Sequence, residues 1–456
     1  MIKKLILLVL VFVVAYGIYY VSIALPVISA YGAKNICSCV FLSGRTPQSV
    51  IDNELNSTLL SLGSFELNED DQSITGNVFG LSERKAIYRK GLGCTLVNEI
   101  EEEELRAQKF EPLEKLPLNP DTIYFPMGDL LPDTLPNGFN QEVLEEAINK
   151  AFNDESYLYP AGTRSVVVVY KNQLIGEQYL EEFNKDVPQL GWSMTKSVTG
   201  TIISLLIKDN RLSLEDQSVL TEWSKEDDPR SEISLDDLMR MSSGLEWSEI
   251  YAGPSDATAM LFKRSSSGEF ASEKPLEFEP GKKWYYSSGT TNILSLIAKK
   301  ELGDDYLNFP RERVFNKIGM RSAVMEPDPS GTFVGSSFMF ATPRDWARFG
   351  LLYLNDGVWE SERILPEDWA DYSKSVTKDS KGRYGAQFWL NANRTDGTDI
   401  RLPNVPTDAY MASGFQGQRV FIIPSMDLVI VRLGYDPAEN FDFNAWLGDL
   451  LEAFKV

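Results

Sequence analysis

The chain opens with an apolar segment that decides what its amino-terminal part can fold into. Leu5 to Leu25 is a run of roughly 20 residues without a charged side chain. A helix of that length crosses the ~30 Å hydrocarbon core of a bilayer, whereas a soluble helix is rarely apolar on every face. Lys3 and Lys4 precede the run, and positive charges favour the cytoplasmic side. We therefore predict a single-pass inner-membrane anchor over residues 1–26, with the chain after Pro26 on the periplasmic side.

A cleaved secretory signal is the alternative for the same segment. Small residues between Ala30 and Ala33 could form a cleavage site. The apolar region of a signal peptide is usually only about 7 to 15 residues long, however. The length of the run therefore favours the anchor, which makes the membrane a partner of this chain.

Acidic residues outnumber basic ones, with 66 Asp and Glu against 44 Lys and Arg and a formal net charge of -22. Such a chain repels DNA, RNA and anionic head groups, so nucleic acid is not an expected partner. With 456 residues the chain exceeds one average domain, and its 43% hydrophobic content is ordinary for globular protein.

There is no histidine anywhere in the chain. This excludes the Ser-His-Asp and Cys-His arrangements and any zinc site that needs imidazole ligands. A serine hydrolase of this composition would have to use a desolvated lysine or a tyrosinate as its base. We expect neither a metal nor a cofactor.

Three cysteines are present, Cys37, Cys39 and Cys94. In an oxidising compartment either Cys37 or Cys39 could pair with Cys94, and Cys37–Cys94 is the candidate bridge. The bond would close a loop of about 55 residues and stabilise the fold by about 4 kcal/mol through chain entropy.

Composition shifts divide the rest of the chain into three parts. Residues 27–115 form a first extracytoplasmic unit, rich in polar turns and closed by the acidic run Glu99 to Glu104. Residues 116–139 are punctuated by prolines, including Pro117, and predict an extended connecting arm. Residues 140–456 form the catalytic unit.

The catalytic unit has strand patterns near both of its ends. Ser165 to Tyr170 and Gln173 to Leu180 predict a hairpin, and Val420 to Ile423 and Leu428 to Leu433 predict a second one. Helical patterns cover 141–152, 195–208 and 443–454. The prediction is an α+β fold, in which an antiparallel sheet formed by the two ends is flanked by helices and carries an inserted helical subdomain.

Candidate catalytic residues begin with Ser193 and Lys196, in the segment Gly191-Trp-Ser-Met-Thr-Lys-Ser. Ser193 stands at the start of a predicted helix, and residues three apart share a helix face. The lysine amine can therefore reach the serine oxygen, and the helix amino terminus stabilises a developing alkoxide. Ser-x-x-Lys is also common by chance, as a capping serine followed by a surface lysine.

Two further motifs follow in order, and together the three resemble those of the serine β-lactamase and penicillin-binding superfamily. Tyr286-Ser-Ser288 stands for the second motif and Ala412-Ser413-Gly414 for the third. The resemblance covers roughly residues 140 to 456 and implies a β-lactamase/transpeptidase-like fold.

The resemblance also implies roles for the second motif. Tyr286 would lie beside Ser193 and Lys196, where a positive neighbour lowers the pKa of a phenol, and would relay a proton between nucleophile and leaving group. Ser288 would form a hydrogen bond with the lysine or the substrate.

For the third motif, the resemblance implies that the strand around Ser413 borders the substrate. The backbone N–H groups of Ser193 and Phe415 would form the oxyanion hole. Gly414 would let the substrate backbone approach closely.

The motifs depart from the better-known enzymes in ways that affect the substrate. The second motif has Tyr in place of Ser-Asp-Asn, and the third lacks the lysine of Lys-Thr-Gly, which puts penicillin hydrolysis in doubt. The pattern is more similar to the esterase and 6-aminohexanoate-dimer hydrolase branch, which cleaves esters or small linear amides. That resemblance makes Tyr251 and Asp256 candidates for holding a substrate amine, the alternative being an ordinary surface loop.

The leading hypothesis is a periplasmic serine hydrolase that acts on a small-molecule ester or amide through an acyl-enzyme. The alternatives are a penicillin-binding sensor or binding module, a D-Ala-D-Ala peptidase or a β-lactamase. A third hypothesis is a structural role for the protein, in which the anchor and the first unit take part in assembly with other molecules.

Overall fold

A six-stranded antiparallel sheet forms the centre of the protein. The structure is a computed structural model and describes residues 2–113, 119–153, 162–438 and 440–455. The boundary predicted between residues 115 and 116, and Pro117, lie outside these ranges.

The α-helices of the described residues are α1 (Ile2–Ser43), α2 (Pro47–Glu54), α3 (Glu102–Ala107), α4 (Gln141–Asn153), α5 (Thr195–Lys208), α6 (Leu235–Met239), α7 (Asp256–Lys263), α8 (Ser267–Ser272), α9 (Ser288–Leu302), α10 (Pro343–Leu354), α11 (Trp369–Lys374) and α12 (Phe443–Glu452). The strands are β1 (Gly63–Asn68), β2 (Ser73–Val78), β3 (Leu81–Arg89), β4 (Gly93–Leu96), β5 (Thr163–Tyr170), β6 (Gln173–Tyr179), β7 (Gln189–Leu190), β8 (Val324–Met325), β9 (Met339–Ala341), β10 (Val358–Trp359), β11 (Glu362–Arg363), β12 (Trp389–Leu390), β13 (Tyr410–Gly414), β14 (Gln418–Ile423) and β15 (Leu428–Gly434).

The central sheet has the strand order β12-β13-β14-β15-β5-β6. Strands from the two ends of the catalytic unit meet in it, because β5 pairs with β15 and places Val168 opposite Ile430. The predicted α+β fold, with an antiparallel sheet between helices, is confirmed. The helices and strands predicted for this unit agree with α4, α5, α12, β5, β6, β14 and β15 to within a few residues.

The sequence of β5 shows why strands of this sheet can be predicted from sequence alone. Successive side chains of a strand point to opposite faces. Val167 and Val169 join the core that contains α5 and α10, whereas Val166 and Val168 pack with residues of α4 and α12 such as Trp446. A strand covered on both faces needs a continuous apolar sequence, and the valines of β5 supply it.

Helix α1 has two dissimilar halves. Residues 2–22 are exposed along their whole length although they are apolar, and this half is long and apolar enough to cross a membrane. The helix does not end at Leu25, since Pro26 lies inside it and the helix continues to Ser43. From Pro26 onward most residues are buried, and a second antiparallel sheet, β1-β2-β3-β4, packs against this half.

The second half of α1 is attached to the catalytic unit by shared core and by a buried ion pair. Ala30, Ala33 and Ile36 belong to the same hydrophobic core as α5 and α10. Glu326, which follows β8 and is fully buried, forms an ion pair with Lys34 and accepts hydrogen bonds from Ser38 Oγ at 2.7 Å and from the backbone N–H of Cys94 at 2.7 Å.

A disulfide bond joins Cys37 of α1 to Cys94 of β4, and Cys39 is a free, buried thiol. The bond closes a loop with a sequence separation of 57. It therefore ties the small sheet to the helix on which it packs.

The described part of the proposed connecting arm, residues 119–139, runs across α10. It contains a short 3-10 turn at Pro120–Thr122. Arg348 of α10 forms an ion pair with Asp129 at 2.7 Å and donates to the backbone oxygens of Pro126 and Gly128. The arm is thus fastened to the catalytic unit by buried arginines, while its role as a linker between units stays a prediction.

Candidate active site

Ser193 lies at the junction between a strained turn and a long buried helix. It is half-buried in the 3-10 turn Trp192–Met194, which leads directly into α5. Trp192 has a left-handed φ of 47°, a conformation that is rare for bulky residues and that clusters at functional sites. The turn places the serine hydroxyl at the amino-terminal end of α5, where the helix dipole favours negative charge.

Lys196 lies one helical turn further on and is 1% exposed. Its Nζ lies 3.1 Å from Ser193 Oγ, 3.0 Å from Ser288 Oγ and 2.9 Å from the carbonyl oxygen of Ser336. Burial lowers the pKa of this amine to about 8, although the Glu249 carboxylate nearby acts in the opposite direction. About a tenth of the lysine is therefore uncharged at pH 7 and can accept a proton, far more than for a lysine with its ordinary pKa.

Tyr286 stands just before α9, between Ser193 and the aromatic side chains of Tyr384 and Trp389. Its phenol shares a hydrogen bond with Ser193, and Lys196 Nζ lies 4.9 Å from the centre of its ring. Burial, followed by the charge of Glu249, raises the pKa of Tyr286. The expectation of a lowered phenol pKa is thus wrong, because the neighbouring lysine is itself desolvated and meets the ring face.

Glu249 is a residue of the site that the sequence analysis did not single out. Its carboxylate accepts hydrogen bonds from the backbone N–H of Ser288 at 2.9 Å, from Tyr251 OH at 2.8 Å, and from Ser288 Oγ and Trp247 Nε1. Because Ser288 Oγ also bonds Lys196, the carboxylate is joined to the lysine through one hydroxyl. Its only sequence signal is its position two residues before Tyr251.

The two candidates from the loop, Tyr251 and Asp256, have different environments in the structure. Tyr251 OH lies 2.9 Å from Ser288 Oγ, and its ring stacks on that of Phe415 at 5.9 Å. Asp256 instead begins α7, forms an ion pair with Lys274 and accepts a hydrogen bond from the backbone N–H of Ser248. Its charge is therefore already compensated by Lys274, and its role in holding a substrate amine stays a prediction.

The third motif ends strand β13 beside the backbone that precedes Ser193. A Cβ atom on Gly414 would lie 2.1 Å from the carbonyl oxygen of Gly191. Gly414 therefore permits a close approach between two segments of this chain, and the expected approach of a substrate to it stays a prediction. Ser413 lies opposite Arg419 in the β13–β14 ladder. The contact places Phe415 beside the turn that contains Ser193. Among the described residues, neither the backbone N–H of Ser193 nor that of Phe415 donates a turn or loop hydrogen bond.

Helix α1 supports this contact directly. Trp192 Nε1 donates to the side chain of Gln416 at 3.2 Å, and Gln416 also has a left-handed φ, of 62°. Tyr31 of α1 stacks on Trp192 at 6.1 Å and forms a hydrogen bond with Gln416. The sequence predicted no part for α1 in the site, because Tyr31 and Trp192 are distant along the chain.

A cavity of about 290 Å³ opens beside Ser193. Its lining comes from α1, from residues 57–60, from the loop 251–254 and α7, from the segments around Ser193 and Phe415, and from Ser337, Tyr435 and Pro437. The lining residues are Tyr20, Ala24, Val27, Ile28, Tyr31, Ser57, Leu59, Leu60, Trp192, Ser193, Tyr251, Ala252, Gly253, Pro254, Thr258, Phe262, Ser337, Phe415, Gln416, Tyr435 and Pro437. A larger cavity of about 660 Å³ lies near Phe41 and Arg311 and includes none of the proposed catalytic residues.

Comparisons with known proteins agree in matching this chain to the β-lactamase family and to hydrolases of that fold. A family model described as Beta-lactamase matches residues 161–452. The 6-aminohexanoate-dimer hydrolase of Paenarthrobacter ureafaciens is 24% identical over 324 residues, which are 64% of this chain and 77% of that protein.

Solved structures share the fold at low identity. A Bacillus anthracis protein assigned as a 6-aminohexanoate-dimer hydrolase has a TM-score of 0.59 at 24% identity and covers 73% of this chain and 88% of its own. A family VIII carboxylesterase has a TM-score of 0.52 at 14% identity and covers 68% and 96%. The named relatives are hydrolases of the β-lactamase fold, with amide and ester hydrolases among them.

Proposed function

We propose that this chain, which belongs to the Beta-lactamase family, is a serine hydrolase that cleaves an ester or small amide through an acyl-enzyme. The family membership confirms the resemblance inferred from the three motifs. The observation that carries the proposal is the buried amine of Lys196, 3.1 Å from Ser193 Oγ and with a pKa lowered to about 8.

In the first half of the reaction, Ser193 Oγ bonds to the carbonyl carbon of the substrate while its proton passes to the Lys196 amine. The carbonyl oxygen becomes an oxyanion, which the N–H groups of Ser193 and Phe415 stabilise. The bond to the leaving oxygen or nitrogen then breaks, and that atom takes up the proton. In the second half, water attacks the acyl carbon, releases the acid and returns the proton to Ser193.

Tyr286 acts in this scheme as a neutral phenol. Its raised pKa makes a resting tyrosinate unfavourable, so the general base is Lys196. The phenol shares a hydrogen bond with Ser193 and can give its own proton to the leaving group while it receives one from the lysine. Ser288 and Tyr251 join Lys196 to Glu249 and hold the amine in place.

The substrate class follows from the third motif and from the relatives. Ala412, two residues before Gly414, occupies the position where the lysine of Lys-Thr-Gly would stand, so the carboxylate of a β-lactam has no lysine partner there. An amide hydrolase and an esterase are among the similar proteins. Both observations support an ester or small amide.

The location proposed for this activity is the outer face of the inner membrane. Residues 2–22 of α1 are exposed and apolar, and Lys3 and Lys4 favour a cytoplasmic amino end. The Cys37–Cys94 disulfide suits an oxidising compartment.

A fluorophosphonate probe tests the nucleophile in the full-length chain. We expect the probe to attach to Ser193, as located by peptide mass spectrometry, and Ser193→Ala to abolish attachment. Lys196→Met should slow labelling at least 100-fold, the lower bound for losing a general base. Equal labelling of wild type and Ser193→Ala would overturn the proposal, and a burst of acylation without turnover on any ester would instead indicate a sensor.

A further inference from the structure

One wall of the cavity beside Ser193 is a continuous stripe of α1. Tyr20, Ala24, Val27, Ile28 and Tyr31 all line it, and residues at these spacings share one face of a helix. At about 1.5 Å per residue the stripe runs for about 16 Å. It begins in the exposed, apolar half of α1 and ends where Tyr31 stacks on Trp192, next to the nucleophile.

The outer end of the stripe falls at the surface of the membrane that α1 is proposed to cross. Residues 2–22 would span about 30 Å as a helix, which is the thickness of the hydrocarbon core. Tyr19 and Tyr20 then stand at the interface, where tyrosine is enriched. Leu59 and Tyr251, at 56% and 38% exposure, line the same cavity and present apolar surface at this level.

The lining contains no charged side chain: all its residues belong to the described part of the chain, and none is Asp, Glu, Lys or Arg. A substrate ammonium or carboxylate in this cavity would lose hydration without gaining a partner of opposite charge, at a cost of several kcal/mol. An uncharged hydrocarbon chain meets no such cost and gains from leaving water. The cavity therefore selects for apolar substituents.

The position of Tyr286 decides which side of the scissile bond faces the cavity. Tyr286 is the proposed donor to the leaving group, and it is absent from the described residues that line the cavity. Ser193 and Phe415 do line it. The leaving group thus faces Tyr286, and the acyl group extends from the oxyanion site along α1.

We infer that the substrate is a membrane-resident ester or amide whose acyl group is a hydrocarbon chain, and that this chain enters the cavity along α1 from the membrane surface. The inference rests on the proposed function and narrows its substrate class. Because the protein is strongly acidic, with a formal net charge of -22, the tether and not surface charge brings it to an anionic bilayer.

A chain-length series with p-nitrophenyl esters, from butyrate to decanoate, tests the cavity in the full-length protein. The expected kcat/KM rises by up to about fourfold per added methylene until the cavity is full. Ala24→Trp, which fills the cavity, should flatten this slope, and Ala15→Trp, on the exposed face of the same helix, should leave it unchanged. Fluorophosphonate titration of Ser193 counts active molecules in each preparation.

A flat slope in the wild type, or an equal slope in Ala24→Trp, would overturn the inference while labelling of Ser193 and butyrate turnover left the proposed function standing. Absence of labelling and of turnover on every ester would instead overturn the proposed function. The two failures are therefore distinguishable.

The source of the chain is tested with phosphatidylcholine vesicles that contain the full-length protein. p-Nitrophenyl palmitate is placed either in the same vesicles or in a second population at the same total concentration. We expect hydrolysis to be at least tenfold faster when enzyme and ester share a bilayer. Equal initial rates would show that the ester arrives through water and would overturn the membrane source.

Discussion

The environment of Lys196 provides a base for the proposed serine chemistry in a chain without histidine. A buried amine with two hydroxyl partners and one carbonyl partner is poorly solvated, which disfavours its charged form. Glu249 does not contact the amine and acts through Ser288. The result is a base whose pKa, about 8, lies within reach of neutral pH.

A pH profile checks this account. Only the uncharged amine accepts a proton, so kcat/KM for a short ester should rise with pH and level off above about 8. The Glu249 carboxylate raises the pKa of Lys196, so Glu249→Gln should move the rising limb to lower pH. Glu66→Gln, at an exposed position of β1, is the control. A limb that stays in place or moves upward in Glu249→Gln would contradict the assignment.

Among the elements, helix α1 combines an exposed apolar half with a half that is buried in the folded body. Its first half is exposed and apolar, and its second half is part of the catalytic body through Tyr31, Lys34 and Cys37. Glu326 is the polar group on which this attachment depends, because it joins α1, β4 and the catalytic unit in one buried cluster.

Glu326→Gln should therefore be strongly destabilising. It leaves the buried Lys34 ammonium without its counter-charge, and breaking a buried pair in this way costs about 3–5 kcal/mol. The exposed pair Lys317–Glu362 supplies the control, and Glu362→Gln should cost less than about 1 kcal/mol. Urea unfolding of the detergent-solubilised chain measures both, and similar losses in the two variants would refute the role given to Glu326.

At the scale of the whole molecule, the boundary between the exposed apolar segment and the folded body lies inside one helix. Exposure changes after Ser22, and no loop marks the place. The candidate active site, the small sheet and the proposed anchor are consequently held in one arrangement relative to the proposed membrane.

Two truncations test that boundary. A chain that begins at Ser22 loses residues 2–21, which are exposed and, apart from Lys3 and Lys4, uncharged. It should stay soluble without detergent and still label at Ser193, although it lacks Tyr20 of the cavity lining. A chain that begins at Gly44 also loses Ala30, Ala33 and Lys34 from the core and should neither fold nor label. Sedimentation and fluorophosphonate labelling report the two outcomes. A soluble, labelled chain that begins at Gly44 would show that the body does not need α1, and failure of the chain that begins at Ser22 would show that the folded body needs residues before Ser22.

The sequence by itself determined the features that depend on neighbours along the chain. The valines of β5, the helical pattern of α5 and the three-residue spacing of Ser193 and Lys196 are local patterns, and their periods predict strand, helix and a shared face. The order of the three motifs also indicated the family, and the family resemblance implied the fold that contains the central sheet. These predictions needed no knowledge of which distant segments meet.

Tertiary structure alone decided the rest, because it depends on contacts between segments far apart in the chain. Glu249 and Ser288 are 39 residues apart, and Trp192 and Gln416 are 224 apart. The burial that shifts the pKa values of Lys196 and Tyr286 in opposite directions comes from such packing, since desolvation disfavours an ammonium and a phenolate alike. The same packing pairs Asp256 with Lys274 and places the apolar amino-terminal helix along the cavity beside Ser193.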